Sequence, residues 1–511
     1  MSMYPMEYPD EINHPWHPQH PLRIIELESI SDVICRSCGK QTQEKEEEEA
    51  KETRCYGCTT CGDFDVHLDC AKNPPPLVVD QTKIHKHPLT LLPREVSFIC
   101  NACGTKGKAS PYVCLSCCFM IHIDCINLPR VIRINHHPHR VSHTLSLPSD
   151  LKLNCQVCHK GIDSRYGAYS CLECPTFHVH VGCATIRNVW DGVELDGVPG
   201  EKTPPPPFNV TSEDRIKHFS HEEHELRRIT DDCDDHNARC YACNLDVFTE
   251  PFYKCVESLC GFILHEECAK LPRETRSPIH RHTLTLHYEE VTDIFPCKSC
   301  CHVSNGFRYS CSQCRFLHFD SKCVSVTERL LRGGHRHPLY FKFDYRTCCA
   351  CEQIKLTPVS CGDCRFALCF ECATLPKRIR YKDDAHLLSL NNDGKLSEDL
   401  QKNWCDSCET QVNPLKIFYE CRSCRTAVHT SCARGGDLRN MRVGSKFQFV
   451  DQFQVVATDQ LKLRRCNFCE RHHEGPAMLT ILSDEGNIIP YCSYYCLDRI
   501  VFFVQYCMLR N

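Results

Sequence analysis

Apolar side chains along this chain fall in short alternating runs, and the runs recur. A tyrosine stands two residues before a cysteine at Tyr56, Tyr112, Tyr169, Tyr253, Tyr309 and Tyr419, with Val359 once in the matching place. Downstream, an aromatic and an aliphatic residue alternate as Phe64 and Val66, Phe262 and Leu264, and Phe366 and Leu368. A spacing of two puts such side chains on one face of an extended segment, so each run predicts a short strand with one buried face. Each repeat has a few core side chains and little else. That burial is too small to offset chain entropy unaided, and metal must make up the difference.

Composition points the same way. The 511 residues include 46 cysteines and 30 histidines, and disulfides have no use for histidine. The start, MSMYPMEYPDEINHPWHPQH, has no basic head and no apolar core, so no signal peptide is expected. The late apolar run from Ile500 to Leu509 is broken by Gln505 and is too short to span a bilayer. These features predict an intracellular protein, cytoplasmic or nuclear and not secreted, whose thiols stay reduced and free for metal.

Seven copies of one ordered pattern follow: a leading His, a CxxC pair, a second pair, then HxxC. Copy one, 14–72, has His20, Cys35, Cys38, Cys58, Cys61, His67 and Cys70. Copy two, 84–127, has His87, Cys100, Cys103, Cys114, Cys117, His122 and Cys125. Copy three, 136–186, has His143, Cys155, Cys158, Cys171, Cys174, His180 and Cys183. A proline-rich linker, 187–216, comes next, and TPPPP within it reads as a stiff spacer. Copy four, 218–271, has His224, Cys240, Cys243, Cys255, Cys260, His265 and Cys268. Copy five, 279–326, has His282, Cys297, Cys300, Cys311, Cys314, Asp320 and Cys323. Copy six, 334–375, has His337, Cys348, Cys351, Cys361, Cys364, Cys369 and Cys372. Copy seven, 383–435, has His386, Cys405, Cys408, Cys421, Cys424, His429 and Cys432. A C-terminal segment, 436–511, adds Cys466, Cys469, Cys492 and Cys496, enough for one further zinc site made of cysteine alone. Asp320 and Cys369 stand where the HxxC histidine is expected, and both are zinc-ligand types.

A C-x2-C turn presents two thiolates to one ion, and mixed Cys and His sets suit tetrahedral zinc. Seven ligands per copy is one short of two complete sites. His85, His280 and His335 lie just upstream of leading histidines, with His17, His139 and His221 in similar places and Asp384 before His386. One expectation is that each upstream residue completes the second site of the preceding copy. Cys55, Cys118, Cys233, Cys301, Cys349 and Cys507 are left over and read as bystanders. A plant-homeodomain finger would need seven cysteines per copy, more than 46 allows.

These residues resemble the divergent C-one domain, the cysteine/histidine-rich relative of the phorbol-ester and diacylglycerol-binding zinc finger that large plant proteins carry in tandem. The resemblance implies small metal-stabilised α+β or irregular modules, a tandem array of zinc fingers with short β-strands, and two interleaved zinc ions each. The first pair and HxxC would hold one ion. The second pair, the leading histidine and a C-terminal ligand would hold the other, with His136 or His137 serving copy two. About two Zn2+ per module and one in the C-terminal segment are expected. The lipid-binding members carry a Gln-Gly step before the second pair, and this sequence has no Gln-Gly.

The expected function is a non-enzymatic protein-interaction or signalling adaptor, with other proteins as partners. Thiol-disulfide chemistry would need a thioredoxin-like pattern, which is missing. Nucleic-acid binding is disfavoured by a net charge of −5, and basic clusters such as Lys377 to Arg380 and Arg464-Arg465 read as solvated linkers. Lipid recognition through Phe307 and Tyr309 or Pro111 and Tyr112 competes with core packing of those tyrosines. His472, His473 and Glu474 lack the helical spacing of a hydrolytic centre. The acidic run EKEEEEAKE inside copy one reads as a solvated loop.

Overall fold

The computed structural model describes residues 8–26, 35–37, 54–80, 82–145, 147–148, 153–200, 204–231, 233, 238–248, 250–288, 294–314, 317–326, 335, 337, 339–381, 386–391, 404–413, 416–434, 441, 446–447, 450–457, 465–470, 477–482, 487–492 and 496–497. Cys38, Cys507, Asp384, Arg464, the His472–Glu474 group and the acidic run of copy one lie outside these residues. The chain divides into two compact units, Met1–Gly200 and Glu201–Asn511.

Copy three shows the common plan. Strands Val131–Ile132, Val141–Thr144, Ala168–Cys171 and His178–His180 pair in chain order, all antiparallel. The repeated tyrosine, Tyr169, lies opposite His143 on one side and Val179 on the other. Tyr169 and Val179 are fully buried, as the spacing of two requires. One helical turn, Val181–Ala184, then carries Cys183, and His180 is its N-cap. The same turn follows the last strand at Leu68–Lys72, Glu266–Ala269 and Thr430–Arg434.

Among the described residues, segments that the repeat left between copies form strands at four junctions. Val78–Val79, Val131–Ile132, Glu274–Ser277 and Arg378–Ile379 each pair with the strand that follows the next copy's leading histidine or contains it. The expected linker is also largely ordered. Val189 is buried and its carbonyl accepts from Asn135 N–H, while Phe208–Ser212 and Arg215–His218 extend the sheet of copy four to five strands. Its apolar residues explain the difference, since Val189 and Ile216 gain more by burial than a spacer offers.

The buried tyrosines do a second task. Their hydroxyls donate to proline carbonyls in the stretch before the sheet: Tyr56 to Pro9 at 2.6 Å, Tyr112 to Pro76 at 2.7 Å, Tyr169 to Pro129 at 2.6 Å, Tyr309 to Pro272 at 2.8 Å and Tyr419 to Pro376 at 2.8 Å. Proline fixes the entering backbone and the hydroxyl satisfies its carbonyl, a bond worth about 1 kcal/mol.

Copies also dock on one another. In the first unit, Gly167 N–H donates to Asn101 O at 2.8 Å, and His143 Nε2 donates to Ala102 O at 2.8 Å. In the second, Phe307 N–H and Ser321 Oγ both donate to Ala242 O at 2.9 Å. Ala102 and Ala242 hold the same place in the first CxxC of copies two and four. A Cβ on Gly167 or Gly306 would stand 2.3 Å from the Ala102 or Ala242 oxygen, so glycine makes the notch. The cores merge accordingly. Buried apolar residues from Trp16 to Val189 form one cluster, those from Ile216 to Val324 another, and those from Val326 to Ala433 a third.

Gly306→Ala should therefore destabilise the zinc-loaded protein by about 1–3 kcal/mol, read as a lower denaturation midpoint. Gly182→Ala meets nothing within 4 Å and should leave the midpoint level or raise it.

Candidate metal centres

Each metal centre starts from a turn the backbone adopts locally. Among the described residues, the one after the second cysteine is left-handed at ten pairs: Gly62 and Gly104 at φ 70° and 71°, and Cys118, His159, Asn244, Cys301, Glu352, Glu409, Arg425 and Glu470 at φ 53° to 61°; Pro175, Gly261 and Arg365 depart from this. Its N–H donates back to the first cysteine's carbonyl, at 2.8 Å on Cys155 and 2.9 Å on Cys240, Cys297, Cys348, Cys405 and Cys466. Outside glycine this conformation costs about 1–2 kcal/mol. It recurs because it aims both sulfurs of the pair at one point. Cys118 and Cys301, left over in the sequence count, occupy this position and are exposed. All described cysteines are free thiols.

Two clusters form in each copy. In copy two, Cys100, Cys103, His122 and Cys125 present ligand atoms all within 4.8 Å of one another, and so do His85, His87, Cys114 and Cys117. Copy three repeats this with Cys155, Cys158, His180 and Cys183, and with His137, His139, Cys171 and Cys174. Copy one gathers His17, His20, Cys58 and Cys61, and ten more groups of three or more donors occur among the described residues. Its other site keeps Cys70 Sγ 3.9 Å from His67 Nδ1, whose own N–H meets Cys35 Sγ at 3.4 Å.

The later copies follow suit. In copy four, His265 Nδ1 lies 3.4 Å from Cys243 and 3.9 Å from Cys268, with its N–H on Cys240. His221 Nε2 lies 3.3 Å from Cys255, 3.5 Å from Cys260 and 3.3 Å from His224 Nδ1, so the opened second pair still closes. In copy five, Asp320 Oδ2 lies 3.2 Å from Cys300 and 3.4 Å from Cys323, and its N–H meets Cys297, while His282 Nδ1 is 3.4 Å from Cys311 and 3.3 Å from Cys314. In copy six, Cys369 replaces the histidine, 3.9 Å from Cys351 and with its N–H on Cys348, one helical turn from Cys372. His335 Nε2 lies 3.8 Å from Cys364 and its ring 5.5 Å from that of His337. In copy seven, His429 Nδ1 lies 3.4 Å from Cys408 and 4.0 Å from Cys432, with Cys405 on its N–H, and His386 Nδ1 is 3.1 Å from Cys424, beside Cys421. In the C-terminal segment, Cys492 is 3.6 Å from both Cys469 and Cys496, and Cys466 closes its own turn.

Three expectations change. The upstream histidine serves its own copy, not the preceding one: His85 sits with His87, and His221 with His224. In copy three the pair is His137 and His139, while His143 lies in a strand and donates to Ala102 O. His136 and His137 therefore leave copy two, and His136 Nδ1 is 2.6 Å from Asn135 Oδ1. The physical reason is a stacking platform. His85 lies flat on Phe119 with centroids 4.3 Å apart, His137 on Phe177 at 3.8 Å, His221 on Phe262 at 4.4 Å and His335 on Phe366 at 4.3 Å. The phenylalanine follows that copy's second pair, so only its own upstream histidine reaches it. The His-x-His spacing was the available signal, and in copy three His143-Thr-Leu145 imitates the His-Pro-Leu that follows it elsewhere.

The thiols of a cluster titrate against one another. Hydrogen bonds from Cys100 and Cys125 drive the Cys103 thiol far down, while bonding to Cys100 and Cys103 drives Cys125 far up. His122 is raised to about 10 by bonds to Cys100 and then Cys103. At Cys114 burial pushes up, but bonds from His85 and Cys117 outweigh it and bring the thiol to about 6. Three sulfurs this close cannot all ionise without a cation. A divalent ion resolves the conflict, and the donor set fits zinc.

His139→Ala should lose one zinc from the ion count in native mass spectrometry. His143→Ala should keep every ion and lose about 1 kcal/mol of stability with its bond to Ala102.

A family model, the C1 domain, matches the chain at five places: residues 15–71, 83–126, 135–184, 219–269 and 382–433. Those are copies one to four and seven. Copies five and six, with Asp320 and Cys369 in the histidine's place, fall outside the five stretches yet keep the same clusters. Searches of curated proteins and of solved structures returned no match. The repeated matches and the donor clusters together identify the chain as a cysteine/histidine-rich tandem-repeat protein of the C1-domain family.

Proposed function

We propose that this chain is a non-catalytic scaffold in intracellular signalling, organised by zinc and binding other proteins. The observation that carries this reading is the closed four-donor cluster. In copies two and three the chain supplies both donor sets in full, from its own Cys and His. Such a site has no open position for a substrate or an activated water, so its ion stabilises structure. First pair and HxxC would hold one ion, and second pair with two histidines the other.

Partner contact is supported by the tips of the second knuckles. Leu115, Leu172 and Leu259 stand there at 80, 87 and 101 % exposure. Large apolar side chains held out on rigid turns favour binding surfaces. Many such contacts in series add through avidity. No helix among the described residues is long and apolar enough to cross a membrane.

Two experiments test this. Chelation of the reduced protein should abolish cooperative melting, because the small cores need the ions; unchanged melting defeats the zinc-organised reading. Leu115→Ser with Leu172→Ser should leave the zinc count intact and weaken cross-linking to protein partners in lysate. If the double variant instead loses binding to lipid vesicles and keeps its protein cross-links, the surface is a membrane contact.

A further inference from the structure

The second unit holds a partly open cavity of about 420 Å³, whose lining includes the copy-five and copy-six donors Cys300, Asp320, Cys323 and Cys351. Four copies and the C-terminal segment line it. Asn244 comes from copy four, Lys322 from copy five, Lys355 and Glu371 from copy six, Arg378 from the strand leading into copy seven, and Met441 closes one side. No single copy could form it, and its volume is that of a small-molecule site.

We propose that this junction cavity binds a small organic anion with an apolar body. The case rests on which polar groups already have partners. Asp246 pairs with Arg239 at 3.4 Å. Glu371 takes Lys355 and lies 3.5 Å from His302 Nδ1. Asp320 accepts from Cys323 N–H at 2.7 Å and faces the sulfurs of its cluster. The carboxylates are thus committed. Lys322 lines the cavity with no hydrogen bond or ion pair to any described residue. Its charge lies near Asp320 and the thiols of Cys243, Cys300 and Cys323, but its ammonium has no hydrogen-bond acceptor among the described residues, and an anionic ligand would supply one.

Asn244 forms part of the wall. Asn244 is 3 % exposed, and its Oδ1 has no hydrogen-bond partner among the described residues. Its Nδ2 donates to Ser304 Oγ at 3.4 Å. Its Oδ1 has almost no accessible surface, so Asn244 shapes the cavity wall and offers a ligand no hydrogen bond. Phe248, Val303, Ile379 and Met441 supply apolar wall. Asn244 is the left-handed residue after Cys243, so the knuckle turn itself aims this side chain at the cavity.

A simpler role for Lys322 competes. The Cys297, Cys300, Asp320 and Cys323 set carries one more negative charge than three cysteines with a histidine, and Lys322 could act only as its counter-ion. The test separates the two. Full-length, zinc-loaded protein is titrated with phenyl phosphate, benzoate, inorganic phosphate and phenethylammonium by calorimetry, and its ions are counted by native mass spectrometry. Saturable binding of phenyl phosphate or benzoate, weakened about tenfold or more by Lys322→Met at constant zinc, supports the proposal. Comparison of the two aromatic anions assigns the headgroup as phosphate or carboxylate. Absence of binding by both, equal binding of phenethylammonium, or unchanged affinity in Lys322→Met overturns it. Should Lys322→Met shed zinc, Ile379→Trp decides by filling the apolar wall, with phenyl phosphate as the probe. Weaker binding supports the site, and unchanged binding overturns it. The outcome is independent of whether the knuckle leucines bind protein.

Discussion

Three thiols and an imidazole, brought within hydrogen-bonding distance by the backbone, cannot share that space as separate ionisable groups. Their mutual repulsion and proton sharing raise some members of the set and lower others, as Cys103 and Cys125 do. A divalent cation turns this conflict into cohesion, because it holds every sulfur deprotonated at once. The remaining architecture serves to reach that arrangement. The left-handed residue after most pairs aims two sulfurs. The last strand and its helical turn bring the HxxC ligands, and the strand after the leading histidine brings the second set.

Such clusters would make only beads, and this chain is more than that. The tyrosine hydroxyl clamps the proline carbonyl in the stretch before its own sheet, and the first knuckle of one copy enters a glycine notch in the next. Backbone carbonyls at Ala102 and Ala242 have to be satisfied somewhere, and the neighbouring copy provides the donors. Cores that are too small singly become continuous across two or three copies. The exposed knuckle leucines therefore stand on a continuous support, and the copies of the second unit meet around a partly open cavity.

The departures of copies five and six show how much the geometry tolerates. Asp320 and Cys369 both keep the N-cap position of the following turn and both keep their N–H on the first cysteine's sulfur. The backbone thus presents whichever donor the sequence supplies. What changes is charge, since an anionic donor replaces a neutral ring, and basic residues lie nearby at Lys322 and Lys355.

The sequence by itself determined the repeat, the strands and most of the donor set. Cys-x2-Cys spacing is a local constraint, and alternation around Tyr169 or Val179 is local too, so both can be read from neighbouring residues. It sent His85 to the preceding copy and put His143 in place of His139, it placed Phe208–Ser212 in a linker, and it assigned Val131–Ile132 to no copy. Each of these depends on a contact distant in the chain: a histidine ring on a phenylalanine far downstream at Phe119, a strand edge seeking its neighbour, a carbonyl finding a glycine notch. Only the tertiary structure decided those, because spacing fixes which donors can form a turn, while packing selects which distant ring completes the site.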